Sequence, residues 1–107
     1  MTYANPTPVK KQVTLAELGR MRAAHEKIAM LTCYDASFAA LLERAGVDVL
    51  LVGDSLGNVL QGHKTTLPVT QEHMEYHVAC VARAHTRCFI IADMSFGTYQ
   101  ESPEQAM

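Results

Sequence analysis

Short apolar runs alternate with amphipathic stretches along the chain, and this alternation predicts a βα order. Three apolar runs have the length of buried strands: residues 28–33, 49–52 and 88–93. Continuous apolar runs are typical of parallel strands, because both faces of a parallel sheet are covered. Strands that are separated by helices must be parallel and are joined by right-handed crossovers. The pattern therefore predicts an α/β fold.

Capping residues mark where the predicted helices begin. Each helical stretch follows a Ser, Thr or Asp whose side chain can accept a backbone N–H bond, namely Thr14, Asp35, Thr70 and Ser102. Two of the helices are predicted over about residues 15–25 and 71–85. The helix after Asp35 has an apolar face at helical spacing, made of Phe38, Leu41, Leu42 and Ala45. Gly46 stands where a left-handed C-cap belongs, and Pro103 is placed to open the last helix.

Composition and charge describe an ordinary globular chain and exclude several functions. The 107 residues allow one domain at most, with 49% apolar and 19% charged residues. The net charge of −2 gives no electrostatic reason to expect nucleic acid or an anionic membrane as a partner. No apolar run approaches the ~20 residues that cross a bilayer. We therefore expect neither a nucleic-acid partner nor a membrane partner.

The N-terminus, the last helix and the cysteines set the expected domain limits and compartment. Residues 1–13 are polar and lack the apolar core of a secretory signal, so a flexible lead-in is expected there. Residues 14–107 are expected to form the first part of a longer domain, because the helix after Ser102 has only begun at Met107. The three cysteines lie in apolar segments without a pairing motif, which predicts free thiols and a cytoplasmic location.

The chemistry-bearing residues follow the second and third predicted strands. Asp54 and Ser55 come directly after the second strand and Gly53, and Asp93 ends the third. The carboxyl ends of parallel strands share one edge, where α/β folds keep their sites. If the two strands are adjacent, both carboxylates can converge on one hard cation such as Mg²⁺. The alternative is that both aspartates bond backbone amides in their loops. Gly53 and Gly57 are expected to leave room for a ligand.

Weaker candidates surround this pair. His73 and His77 are four residues apart on a predicted helix, a spacing that could bind zinc, although packing is the expected role of His77. His63 and Lys64 lie in a glycine-bounded loop and could contact an anionic substrate. Tyr34 follows the first strand and could line the same pocket or cover the core.

Five short strings together resemble the ketopantoate hydroxymethyltransferase family. They are LTCYD at 31–35, LVGDSLG at 51–57, QGH at 61–63, TTLPVT at 65–70 and IAD at 91–93. Their order and spacing are similar to those of the N-terminal part of that enzyme, from about Val13 onward. Cys33 stands where alanine is more usual, a conservative departure.

The resemblance implies the N-terminal part of a (βα)8 TIM barrel, with about three βα units present. It implies transfer of a hydroxymethyl group from 5,10-methylenetetrahydrofolate to 3-methyl-2-oxobutanoate, giving 2-dehydropantoate for pantothenate biosynthesis through a Mg-stabilised enolate. Aspartates matching Asp54 and Asp93 lie at the metal, and the serine matching Ser55 binds the keto-acid carboxylate. The family is typically a homo-oligomer.

The general base of the family comes from a later strand and is expected beyond Met107. We therefore hypothesise that residues 1–107 alone are inactive. We also expect them to be poorly folded, because the sheet edges and the barrel interior would be open. Two other functions stay open at this point. One is another Mg-dependent α-keto-acid lyase or mutase barrel, and the other is a non-enzymatic Mg-binding receiver-like module.

Overall fold

The computed structural model describes residues 11–107, so residues 1–10 of the predicted lead-in lie outside the described range. The last lead-in residues are fixed in place. The buried Val13 donates its backbone N–H to the carbonyl oxygen of Arg87 at 2.7 Å. The Gln12 side chain donates to the carbonyl oxygen of Cys88 at 3.2 Å. Gln12 and Val13 are therefore hydrogen-bonded to the segment at residues 87–88.

Three parallel strands form one sheet in the order of the sequence. They are β1 (Met30–Thr32), β2 (Val49–Val52) and β3 (Phe89–Ala92), with β2 in the middle. Leu50 of β2 lies opposite Leu31 of β1 and Ile90 of β3. The predicted α/β fold and its parallel strands are confirmed. β1 and β3 are shorter than the apolar runs that predicted them, because only their central residues pair with β2.

The predicted helices are confirmed with small changes at their ends. They are α1 (Leu15–Ala23), α2 (Ala36–Arg44), α4 (Gln71–Ala82) and α5 (Pro103–Ala106). All four predicted side-chain caps form, on Thr14, Asp35, Thr70 and Ser102. Gly46 has a φ of +94°, the left-handed conformation expected after α2. Among residues 11–107, no helix is long and apolar enough to cross a membrane.

A short helix stands where the sequence predicted only a loop. This helix is α3 (Leu56–Val59), which begins directly after Ser55 and buries Leu56 completely. A Cβ on Gly57 would lie 2.5 Å from Cγ2 of Val69 and 3.6 Å from backbone atoms of Thr65 and Thr66. The expectation that Gly57 leaves room for a ligand was therefore wrong. The chain itself fills that space.

The core lies between the sheet and helices α2 and α4. It includes Leu50 and Val52 of β2 with Ala39 of α2 and Met74 of α4. The predicted apolar face of α2 was partly wrong, because Phe38 is 58% exposed and Ala39 is buried instead. The helix is rotated relative to the simple apolar stripe, so that the small residue Ala39 packs in the core.

Candidate active site at the carboxyl edge of the sheet

The register of β2 and β3 brings Asp54 and Asp93 together, as the sequence predicted. Val52 and Ala92 are partners at the ends of their strands, and each aspartate follows within two residues. The backbone N–H of Asp54 donates to Oδ2 of Asp93 at 3.0 Å. The backbone N–H of Asp93 in turn donates to the carbonyl oxygen of Val52 at 3.0 Å. The two half-buried carboxyl groups therefore sit at one edge.

Gly53 makes this close approach possible. A Cβ at Gly53 would lie 3.3 Å from Oδ2 of Asp93 and 3.3 Å from Oγ of Ser55. Such a contact is tight, so a side chain here would push either group out of position. The absence of a side chain at the end of β2 thus lets the carboxylate of Asp93 and the hydroxyl of Ser55 approach the same backbone position.

The carboxylate of Asp93 accepts a backbone N–H bond, which is the structural role that the sequence left open for both aspartates. That bond engages only Oδ2 of Asp93. Within residues 11–107, the Asp54 carboxylate takes part in no hydrogen bond or ion pair of its own. One carboxylate oxygen therefore organises the loop, while the carboxylate of Asp54 is available to a ligand.

Both carboxylates line an open cleft of about 580 Å³, within the size range of ligand pockets. The cleft is lined by Asp54, Ala92, Asp93, Met94, Tyr99 and Ala106. Sequence reasoning had not singled out Met94 or Tyr99. Both lie in the loop between β3 and α5. Because this loop follows a strand that ends in aspartate, its residues could have been predicted from the sequence to lie near the site.

The donor set fits an oxygen-liganded cation as one part of a site. Mg²⁺ is usually held by one or two carboxylates together with water and substrate oxygens. Asp54 and Asp93 supply two such carboxylates on one cleft. No group of three His, Cys, Asp or Glu side chains within residues 11–107 is arranged to hold a metal ion. Further ligands of such a cation would therefore be water, substrate or other segments.

Ser55 is held by a tyrosine from the neighbouring strand end. Its Oγ lies 2.5 Å from the phenolic oxygen of Tyr34, which follows β1. The carbonyl oxygen of Tyr34 lies 2.8 Å from Nδ1 of His77 on α4. Because a carbonyl oxygen can only accept, Nδ1 of His77 is the donor. The sequence had placed Tyr34 at this edge, but it gave no sign of either hydrogen bond.

The histidine pair on α4 does not form a zinc site. Nδ1 of His73 accepts from the backbone N–H of Thr70 at 3.1 Å, which completes a capping box at the start of α4. Nε2 of Gln61 also lies 3.2 Å from this nitrogen. His77 turns its own Nδ1 to Tyr34, with its ring edge-to-face against Tyr76. His73 thus stabilises the start of α4, whereas His77 contacts the segment that follows β1.

His63 and Lys64 are exposed and do not line the cleft with Asp54. The backbone of His63 is bonded on both sides: its N–H donates to Gly57, and its carbonyl accepts from the Asn58 side chain at 2.8 Å. These contacts fix the loop after α3. They give neither side chain a contact with the candidate site.

The predicted free thiols are confirmed within the described residues. Cys33 and Cys88 are buried, and Cys80 is half-buried. Burial raises the pKa of the Cys33 and Cys88 thiols, because an apolar environment disfavours the thiolate. Thiols that stay protonated are poor nucleophiles, so neither is a candidate catalytic group.

Parallel strands joined by helices, with paired carboxylates where two strands end, define an α/β protein with a site at the carboxyl edge of its sheet. The family model of ketopantoate hydroxymethyltransferase matches residues 12–107. The chain belongs to this family. This membership argues against the receiver-like module.

Three curated relatives illustrate the similarity. The 3-methyl-2-oxobutanoate hydroxymethyltransferase of Azoarcus sp. is 75% identical over 97 residues, which are 91% of this chain and 36% of the relative. The enzyme of the same name from Aromatoleum aromaticum is 72% identical, with the same coverage of 91% and 36%. The 3-methyl-2-oxobutanoate hydroxymethyltransferase 1 of Burkholderia ambifaria is 67% identical over 92% of this chain and 36% of its own length. The chain thus spans about a third of these relatives.

Proposed function

We propose that the full-length protein carrying this chain is a hydroxymethyltransferase of pantothenate biosynthesis. It would transfer a hydroxymethyl group from 5,10-methylenetetrahydrofolate to 3-methyl-2-oxobutanoate, giving 2-dehydropantoate. Its partners would be an α-keto acid and a folate co-substrate. The observation that carries this proposal is the pairing of Asp54 and Asp93 on one cleft, in a chain that belongs to this family.

Asp54 and Asp93 would hold Mg²⁺ together with the two oxygens of the α-keto acid. When bound, Mg²⁺ supplies polarisation of the keto oxygen and stabilises the negative charge of an enolate. The carboxylate of Asp54, which has no hydrogen-bond partner within residues 11–107, and the second oxygen of Asp93 are the groups proposed for this role. Gly53 leaves room for Oδ2 of Asp93 and Oγ of Ser55, because a Cβ at this position would lie 3.3 Å from each of them.

Ser55 would bind the substrate carboxylate. Its hydroxyl and Oδ2 of Asp93 both lie next to Gly53 at the end of β2, and a hydroxyl can donate to an anionic oxygen. Carboxylates alone would repel an anionic substrate, so a donor next to them supports binding in one orientation. Proton removal from C3 of the keto acid needs a base, which we expect from a segment outside residues 1–107.

The proposal includes the family's (βα)8 barrel, a homo-oligomeric assembly and a cytoplasmic setting. The parallel order β1-β2-β3 supports the barrel, because sequential parallel strands with outer helices are its repeating unit. The free thiols of Cys33, Cys80 and Cys88 are consistent with a reducing compartment.

The test is an assay of the full-length gene product with 3-methyl-2-oxobutanoate and 5,10-methylenetetrahydrofolate, next to an assay of C–C lyase activity on α-keto acids. We expect folate-dependent hydroxymethylation and no lyase activity. Asp54→Asn and Asp93→Asn should each lower kcat/KM roughly 100-fold or more, as loss of a charge-stabilising group does. Asp35→Asn is the matched control, because this strand-end residue only caps α2 and asparagine also caps. Lyase activity without hydroxymethylation would overturn the proposal.

A further inference from the structure

We propose that Tyr34 is a positioning residue that makes Ser55 a hydrogen-bond donor to the substrate carboxylate, and that His77 holds Tyr34 in place for this role. The three residues form a chain from α4 through the end of β1 to the end of β2. The inference rests on the proposed function, which makes Ser55 a substrate contact. It adds the two residues through which that contact is oriented.

The Ser55 hydroxyl is committed to Tyr34 rather than to its own helix. Ser55 occupies the N-cap position of α3, where a serine commonly accepts a backbone N–H bond. Here its side chain makes no capping bond. Its Oγ lies instead 2.5 Å from the phenolic oxygen of Tyr34. The rotamer of Ser55 is therefore set by a neighbouring strand end and not by the helix that it precedes.

The hydrogen bond between Tyr34 and Ser55 takes a single direction when an anion binds to the serine, with Tyr34 as the donor. A serine hydroxyl has one proton to donate and lone pairs with which to accept. When Tyr34 donates to Oγ, the proton of Ser55 is free to be donated to another acceptor. A carboxylate accepts only, so its binding selects this direction. The donated bond from Tyr34 also polarises the serine hydroxyl and makes it a better donor.

His77 fixes the other side of Tyr34. Its Nδ1–H donates to the carbonyl oxygen of Tyr34 at 2.8 Å, across 43 residues of sequence. The ring of His77 is half-buried and lies edge-to-face against Tyr76, with ring centroids 5.1 Å apart. β1 ends at Thr32, two residues before Tyr34, so strand pairing does not hold the tyrosine directly. The histidine supplies that restraint from α4.

The first experiment is Tyr34→Phe in the full-length gene product. We expect KM for 3-methyl-2-oxobutanoate to rise about tenfold, as loss of one hydrogen bond in a chain to a charged group predicts, with kcat changed less than about threefold. Tyr76→Phe is the matched control, since it removes a phenol oxygen from an exposed tyrosine beside His77 and should leave both constants unchanged. An unchanged KM in Tyr34→Phe would overturn the inference.

The second experiment separates positioning from general structural damage. Ser55→Ala should raise KM at least as much as Tyr34→Phe does. The double variant Tyr34→Phe/Ser55→Ala should be no worse than Ser55→Ala alone, because Tyr34 acts only through the serine. If the two losses multiply, the two residues act independently and Tyr34 is not a positioning residue for Ser55.

The third experiment addresses His77 with a conservative rescue. His77→Leu removes the donor and should raise KM by about the same factor as Tyr34→Phe. His77→Asn keeps an N–H donor near the place of Nδ1 and should recover most of the loss. Equal KM values for His77→Leu and the wild type would overturn the role of His77.

Calorimetric titration with 3-methyl-2-oxobutanoate in the presence of Mg²⁺ distinguishes this inference from the proposed function. A wild type that binds the keto acid but does not hydroxymethylate it contradicts the proposed function, and the affinity of Tyr34→Phe then decides the inference. A wild type that turns over while all Tyr34 and His77 variants keep its KM contradicts only the inference. A wild type that neither binds nor converts the keto acid contradicts both.

Discussion

At the scale of single residues, the site depends on two glycines with different tasks. Gly53 admits the carboxylate of Asp93 and the hydroxyl of Ser55 to the end of β2. Gly57 allows Val69 to pack closely against α3, since the side chain of Val69 occupies the space that a Cβ would need. Both were visible in the sequence as glycines beside a strand end. Only the packing shows that one serves the site and the other serves the loop behind it.

Gly57→Ala should lower the free energy of unfolding by about 1–3 kcal/mol, because the new methyl group would overlap Cγ2 of Val69. Gly19→Ala is the matched control on α1, where a Cβ meets nothing within 4 Å. That substitution should instead stabilise the protein by roughly 0.5–1 kcal/mol. Urea denaturation of the two variants of the full-length gene product provides the comparison. Equal effects of both substitutions would contradict the close packing at Gly57.

The buried thiols predict a loss of stability at alkaline pH. Burial raises the pKa of Cys33 and Cys88 in the folded protein, whereas the unfolded chain has the ordinary value of about 8.5. As the pH rises, the unfolded state loses these protons first. The stabilisation is therefore complete below about pH 8.5 and declines above it.

Denaturation curves of the full-length gene product, measured from neutral pH to about pH 9.5, should show this decline. The decline should be shallower in Cys33→Ala, which removes one of the two buried thiols. The slope is the quantity to compare, because the substitution also changes packing at every pH. Parallel pH profiles for the wild type and Cys33→Ala would contradict the prediction.

At the scale of elements, the starts of the helices could be predicted from nearby capping residues, whereas the ends of the strands depended on pairing with the neighbouring strand. The four predicted caps form because a capping side chain reaches amides only two or three residues away. β1 and β3 end where pairing with β2 ends, so their lengths could not be deduced from the apolar runs alone. The four-residue α3 is too short to show any periodicity, and it was missed for that reason.

The cap of α2 offers a test at this scale. Oδ1 of Asp35 accepts from the backbone N–H of Phe38 at 2.7 Å. Asp35→Ala should lower the free energy of unfolding by about 1 kcal/mol, because an N–H at the helix start loses its acceptor. Asp35→Asn should cost much less, since the asparagine oxygen accepts the same bond. Thermal unfolding of both variants checks this, and equal losses would show that charge rather than capping matters at Asp35.

At the scale of the whole molecule, the described chain is more open than a complete domain. Its radius of gyration is 16.1 Å, whereas a compact domain of about 100 residues has roughly 13 Å. Met30 and Leu31 of β1 are each 51% exposed, although a parallel sheet normally covers both faces. Within residues 11–107, β1 and β3 each pair with β2 only. The expectation of buried strands is therefore met by most of β2 and fails for β1 and for the end of β3.

We expect residues 1–107, expressed on their own, to lack both activity and a cooperative unfolding transition. The exposed apolar side chains of β1 and the open cleft leave apolar surface in water, and this weakens the burial that must offset the conformational entropy of folding. Differential scanning calorimetry and binding of a hydrophobic dye would test this against the full-length gene product. A sharp transition in a monomeric sample, or measurable hydroxymethylation by the isolated chain, would contradict the expectation.

The sequence by itself determined the α/β order and the helix starts, because capping and hydrophobic period are local, and it placed Asp54 and Asp93 at the same edge of the sheet. Their meeting depended on β2 and β3 being neighbours, which the tertiary structure decided. Only the tertiary structure decided which face of α2 is buried, what fills the space beside Gly57, and which group orients Ser55. These features depend on side chains that are distant in sequence. His77, for example, reaches Tyr34 across 43 residues, and no spacing rule could have indicated that bond.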